Sequence, residues 1–338
     1  MATVAITGYT DKISVAPGEE ISFKLSVDNA PSAQVDIVRL IHGDEHPDGP
    51  GFIEEVVPAT CSGEHAVKKQ FVDVGNAVVF VDPAGKLDLT GPFTLWSFIN
   101  PTTPDKGRQV VMGKFALHET AGYALGIDAH GRLAFWVGNG TDTDEIVSPV
   151  PLIHHTWYFV AASFNPRSGE AIVMHQAVVN PYNGRLGKVA PFDHRAVVEQ
   201  KLRVKPRASS SSFMWGAAQN SATVRGLFRE FSFNGKIDRS GVIDGALSVK
   251  ELEALAKDPM TYPGAIATWD TTEGYGPDGI DDLVRDVSGS GIDGVGIQRP
   301  VRAMTGYNWS GKHDDWRVSP GEYGGISFHD DAVMDCEW

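Results

Sequence analysis

The feature that most constrains this chain is a succession of short apolar segments with a period of two, separated by glycine and proline turns, with one good helical pattern near the end. Ile21, Phe23, Leu25 and Val27 alternate with Ser22, Lys24, Ser26 and Asp28. Side chains of a strand point alternately to its two faces, so this pattern predicts a strand with one buried face. Ala16-Pro17-Gly18-Glu19, just ahead of it, is a turn signature. Val35, Ile37, Arg39 and Ile41 predict the next strand, and Phe52-Ile53-Glu54-Glu55-Val56-Val57 another. Hydrophobic residues are 42% of the chain and charged residues 21%, which is enough apolar surface to form cores and excludes disorder over most of the length.

The first region, residues 1–70, reads as a small immunoglobulin-like β-sandwich, because its strands recur at roughly ten-residue spacing. Residues 71–300 carry further strand patterns at Phe71–Phe80, Phe93–Ile99, Gln109–Phe115, Tyr123–Ile127, Leu133–Val137, Trp157–Phe164, Ala171–Val179 and Phe213–Gly216. Strands do not alternate with helices, so a parallel doubly wound sheet is excluded and the fold class is all-β. The one helix runs from Ser248 to Ala256, with Ser248 and Glu251 as a capping box and Asp258-Pro259 as the stop. Leu252 and either Leu255 or Ala256 are expected to pack on the sandwich. Trp96, Trp136, Trp157 and Trp215 lie in strand patterns, and alternation predicts that most of them are inside.

The formal charge of −14 argues against nucleic acid and anionic membranes as partners. No apolar run approaches the roughly 20 residues that span a bilayer, and the start of the chain lacks the pattern of a signal peptide. The two cysteines, Cys61 and Cys336, are too few for a disulfide framework and lack metal-type spacing. A reducing cytoplasm is the expected location.

Several phrases then point to a family. Phe93-Thr94-Leu95-Trp96, Gly122 through Asp128, Gly131-Arg132-Leu133 and Thr156 through Ala162 resemble a laminin G-like or concanavalin A-like jelly roll, as does Asn234-Gly235-Lys236-Ile237-Asp238 followed by Ala246-Leu247-Ser248. Val284 through Gly291 resembles the phrase that opens such a domain, yet it stands near the end here. The resemblance therefore implies a permuted jelly roll in which residues 264–300 supply the first strand. At the two ends, Arg39 through Asp44, Gly49 through Phe52, Gly306 through Gly311 and Tyr323 through Asp331 resemble large-subunit chains of the N,N-dimethylformamidase type. Such chains are expected to continue into a larger α/β catalytic domain that binds one iron through two tyrosines and a glutamate and hydrolyses an amide. The resemblance implies that this chain is the truncated or split front part, that it holds no cofactor, and that residues 301–338 form a C-terminal arm leading toward the catalytic domain. The implied partners are that domain or subunit, a small subunit and further copies of the chain.

The candidate site residues fall in three groups. His42-Gly43-Asp44-Glu45-His46 has the donors of a metal site, but its glycine- and proline-rich flanks predict a loop without the helix that would align His42 and His46. We assign His42, Asp44 and His46 to interdomain docking. Trp309, His313-Asp314-Asp315, Trp316 and His329-Asp330-Asp331 are assigned to the same task, since no nucleophile or oxyanion donor accompanies them. Asn139, Asp142, Asp144 and Glu145 offer hard oxygen donors, which makes Asp142 and Asp144 a calcium alternative to a solvated acidic hairpin. With the jelly roll, this rim motivates a second reading, a carbohydrate-binding module with exposed aromatic rings. His154-His155 is expected to have one ring in solvent and one packed. The serine run Ser209–Ser212 lacks an activating histidine.

Overall fold

The computed structural model describes residues 6–27, 30–70, 75–183, 193–223, 226–273, 275–276, 279–280, 283–303, 305–309 and 326–328. The chain divides into two compact units, Met1–Val72 and Asp73–Trp338.

In the first unit, β1 (Ile6–Thr10) pairs with β2 (Phe23–Val27), β3 (Ser32–Val35) with β6 (Gly63–Ala66), and β4 (Ile37–His42) with β5 (Ile53–Val57). All three ladders are antiparallel, and each is two-stranded among the described residues. The immunoglobulin-like sandwich expected here is thus represented by three separate ribbons. The one-faced burial expected of Ile21–Val27 is found only at its end: Val27 is 1% exposed, whereas Phe23 is 56% exposed. The physical reason is that alternation sorts side chains onto two faces, but a face is buried only if a second layer covers it.

The second unit begins with β7 (Ala77–Phe80), β8 (Phe93–Pro101), β9 (Gln109–Ala116), β10 (Ala121–Ile127), β11 (Arg132–Asn139) and β12 (Thr143–Pro151). It continues with β13 (Tyr158–Asn165), β14 (Glu170–Ala177), β15 (Arg195–Lys201), β16 (Met214–Trp215), β17 (Ala218–Thr223), β18 (Gly226–Glu230), β19 (Gly235–Asp244) and, after the helix α1 (Val249–Leu255), β20 (Ala265–Asp270). A small ladder of β21 (Tyr275–Gly276) and β22 (Gly279–Ile280) leads to β23 (Leu283–Asp286) and β24 (Gly294–Ile297). β25 (Val301–Arg302) and β26 (Ile326–Phe328) pair with each other, and β26 also lies along β19.

One sheet runs β15-β14-β13-β8-β19-β20, the other β12-β11-β10-β9-β16-β7-β24-β23. They join where Trp269 of β20 pairs with Asp286 of β23. On the opposite side the outer strands β12 and β15 are tied by Gln200 Nε2 donating to the Glu145 carbonyl at 3.3 Å, and just past β15 the Arg203 N–H donates to Asp144 Oδ2 at 2.7 Å. This is the all-β jelly roll expected from the sequence. The late segment closes it: β24 runs antiparallel along the opening strand β7, pairing Gly294 with Phe80 and Ile297 with Ala77.

The space between the sheets is filled by Phe93, Tyr123, Phe135, Phe164, Phe213, Trp215 and Trp269 with aliphatic side chains around them. The outer face of the first sheet carries a second apolar layer, Trp96, Phe98, Trp157, Phe159 and Met174, capped by Leu252 and Leu255 of α1. Both leucines are 0% exposed, so the helix docks as its apolar spacing requires. The Ser248 N–H and hydroxyl both donate to Glu251 Oε2, at 2.8 and 2.6 Å, which fixes the helix start. Close strand packing makes one glycine obligatory: at Gly122, with φ +108°, a Cβ would lie 1.8 Å from the Lys114 carbonyl oxygen.

Candidate functional site

The outer apolar layer ends at a buried charged cluster. Asp238 sits in β19 directly opposite Phe98, and the register shifts between Asp238 and Ser240, so Arg239 is the extra residue of a bulge. Strand alternation would send two successive side chains to opposite faces, but a bulge re-aims one of them, and here both serve one cluster. Asp238 is 1% exposed and accepts from the Thr271 hydroxyl at 2.6 Å, the Arg239 N–H at 2.8 Å and the Tyr307 N–H at 3.3 Å. Arg239, 9% exposed, donates from Nε to Asp270 Oδ2 and from Nη1 to the Tyr307 hydroxyl, both at 3.1 Å. Burial pushes the Asp238 carboxyl above its ordinary range despite its hydrogen bonds to Thr271 and Arg239. Burial alone would lower the Arg239 pKa, but Asp270 and Asp238 outweigh it and raise it.

This cluster fastens the segment after the jelly roll. The Tyr307 ring stacks on Phe98 with centroids 3.7 Å apart and planes 4° from parallel. Asn180 Nδ2 donates to the Tyr307 and Trp309 carbonyls at 3.3 and 2.8 Å, and the Trp309 ring lies 5.4 Å from that of Tyr182. Residues 305–309 are therefore held on the outer face of the first sheet by one stacked ring, one buried ion pair and an amide clamp. Chemically the arrangement binds and positions chain.

A second buried polar group lies at the β13–β14–β15 edge. His175 is 0% exposed, with Nδ1 3.4 Å from the Ser148 hydroxyl and Nε2 without a hydrogen-bond partner among the described residues. The His194 ring stacks on it at 5.3 Å, and His194 Nδ1 is 3.1 Å from the Tyr158 hydroxyl. Burial, with His194 close by, pushes the His175 pKa down to about 4. Burial also raises the Tyr158 pKa, to about 12.

The residues singled out in the sequence are spread over both units. His42 ends β4 and its Nδ1 lies 2.9 Å from the Gly51 carbonyl. Asp44 accepts the His46 N–H at 2.9 Å, and His46 Nδ1 accepts the Asp48 N–H at 3.3 Å. The loop geometry expected for this stretch is present, and its donors bond locally. Asn139 Oδ1 accepts the Thr141 and Asp142 N–H groups, while Asp144 holds Arg203 and Glu145 is paired to Arg108 at 2.7 Å. Among the described residues no three His, Cys, Asp or Glu side chains gather as a metal site would need. Trp309 lies at the clamp. His313, Asp314, Asp315, Trp316, Tyr323, His329, Asp330 and Asp331 lie outside the described residues. His154 is exposed and His155 half-buried. Trp96, Trp136, Trp157 and Trp215 are all buried, at 5% exposure or less, and present no stacking face. Sequence reasoning missed Asp238, Arg239 and Asp270. The adjacent charges Asp238-Arg239 inside a strand were the available signal, and the bulge that unites them has no mark in the sequence.

Residues 73–178 match the family model of the concanavalin A-like lectin/glucanases superfamily, Laminin_G_3. Along its whole length the chain is 38% identical to the N,N-dimethylformamidase beta subunit of Paracoccus aminophilus and 33% identical to that of an Alcaligenes species. Over this length the chain is similar to N,N-dimethylformamidase beta subunits. It spans 45% of the length of each of those two proteins. Among solved structures, similarity extends to the Ruminococcus gnavus IT-sialidase CBM40, at 14% identity and a TM-score of 0.41 over 54% of this chain and 95% of that one. It also extends to the heptameric SAP-like pentraxin of Limulus polyphemus, at 16% identity and a TM-score of 0.35 over 56% and 78%. No helix among the described residues is long and apolar enough to cross a membrane.

Proposed function

We propose that this chain is a non-catalytic structural and assembly region of an amidohydrolase resembling the N,N-dimethylformamidase beta subunit. The parent reaction is metal-assisted hydrolysis of an amide, carried out by a part of the enzyme that this chain supports. The iron belongs to that part. The partners are the catalytic portion or subunit, a small subunit and further copies, in the cytoplasm.

The observation that supports this reading is the imbalance of the first unit. Its described residues include a single fully buried hydrophobic side chain, Val27. Along the β4–β5 hairpin, Val38, Leu40, Ile41, Phe52, Ile53 and Val56 are between 39% and 61% exposed. A unit of this size with so small a core is marginal by itself, and a clustered apolar surface marks an interaction site. A partner surface laid over the hairpin supplies the absent layer.

The test is to replace the matching portion of the Paracoccus aminophilus relative with this chain and assay amide hydrolysis. The chimera is expected to be active, and to lose activity and assembly when Val38, Leu40 and Val56 are changed to serine. The chain by itself is expected to turn over no amide. Turnover by the isolated chain with stoichiometric bound metal overturns the proposal.

A further inference from the structure

An open cavity of about 620 Å³ lies on the outer face of the first sheet, between that sheet, α1 and Tyr307. Its floor is one cross-strand row. Register places Phe98 of β8 opposite Phe159 of β13, Phe159 opposite Gln176 of β14, and Gln176 opposite Arg195 of β15. All four side chains line the cavity. Three inter-strand steps of about 4.8 Å make the row roughly 14 Å long. It is graded: aromatic at the Phe98 end, where Tyr307 stacks, then amide, then cationic.

The helix side continues the grading. Ala256 and Pro259 line the wall, and Lys257 and Glu253 stand at the polar end. Glu253 is paired with Arg195, whereas Lys257 has no ion-pair partner among the described residues. The polar end thus holds two cations against one carboxylate in a chain whose overall charge is −14.

The cavity is also held in shape before anything binds. Asn183, 1% exposed, donates from Nδ2 to the Trp157 and Val178 carbonyls, each at 2.9 Å, and so fixes the Val178–Val179 wall. The Arg195–Glu253 pair ties α1 to β15. Preformed apolar cavities of this size, with a few convergent polar groups, are the usual form of small-molecule sites.

We propose that this groove binds a small amphiphilic carboxylate, its aliphatic or aromatic body against Tyr307, Val178, Val179 and Ala256 above the buried Phe98–Phe159 floor and its anionic head between Lys257 and Arg195. The surplus cation at one end of an apolar trough selects an anion over a neutral or cationic molecule of the same body. Nothing in this inference depends on the amidohydrolase reading, and its test uses the chain alone.

Decanoate and decylammonium are titrated separately into the full chain by calorimetry. Decanoate is expected to bind saturably at one site, at least tenfold more tightly than decylammonium. Lys257→Glu, a change on an exposed side chain, is expected to weaken decanoate at least tenfold. Ala256→Trp, which fills the trough, is expected to abolish binding. Absence of saturable decanoate binding, equal binding of the cation, or binding unchanged by Lys257→Glu each overturns the proposal. The last outcome would point instead to the exposed apolar surface of the first unit.

Discussion

Acidification from pH 7 to pH 5 is expected to loosen the second unit through one buried ring. His175 takes up a proton near pH 4 in the folded chain, against an ordinary value of 6.5. Between those two values the unfolded chain binds more protons than the folded one, so stability falls as pH falls. His175 costs almost nothing above pH 6.5. At ~1.4 kcal/mol per pH unit, the gap amounts to about 2 kcal/mol lost by pH 5 and about 3 kcal/mol below pH 4. The groups facing the ring do not relieve this: Ser148 and Tyr158 are neutral, and His194 is itself shifted down by burial, with Asp193 opposing. Urea denaturation at pH 7, 6 and 5, followed by tryptophan fluorescence, reads this unit alone, because every tryptophan lies at or after Trp96. His175→Phe keeps a flat ring in the apolar site and removes the titration, so its stability at pH 5 should exceed that of the unsubstituted chain once the pH 7 values are matched. Other acid-sensitive groups are common to both proteins and cancel. Equal pH slopes, or an NMR titration of His175 near 6.5, would refute the reasoning.

Three further outcomes are expected. Arg239→Met leaves the buried Asp238 and the half-buried Asp270 without the Arg239 cation and should cost about 3–5 kcal/mol in urea denaturation; a loss below about 1 kcal/mol, as for an exposed pair, would show that the cluster is solvated. Gly122→Ala places a Cβ against the Lys114 carbonyl and should prevent folding of the second unit, read as loss of the fluorescence transition while the chain still expresses. Ser248→Ala removes the hydroxyl bond to Glu251 and should cost about 1 kcal/mol. It should also speed amide exchange over Val249–Leu255, and unchanged exchange there would rule out the cap as the fastener of α1.

Much of the second unit was legible because it is built from local patterns. The strands at Phe93, Gln109, Tyr123 and Leu133, and the Ser248–Glu251 cap, depend on side-chain period and short-range hydrogen bonds, which the sequence displays directly. The strands Thr143–Pro151 and Arg195–Lys201 were not anticipated. Each is an outer strand of its sheet, half-exposed and polar, so its pattern carries little apolar contrast. The resemblance of Val284–Gly291 to an opening phrase led to the expectation that residues 264–300 supply a first strand; that β24 lies along β7, and in which register, is a long-range match the residues alone do not display.

The order of short alternating segments, read from residues alone, determined an all-β chain with one capped helix and tryptophans turned inward, because period and capping are properties of neighbours in sequence. Which faces are covered was decided only in three dimensions. Phe23 and Trp96 carry the same alternating signal, yet one is exposed and the other buried, since burial requires a second layer that distant parts of the chain supply. The union of Asp238, Arg239, Asp270 and Tyr307 likewise depends on a bulge and on contacts between residues some 30 to 70 positions apart, and no local pattern encodes such a meeting.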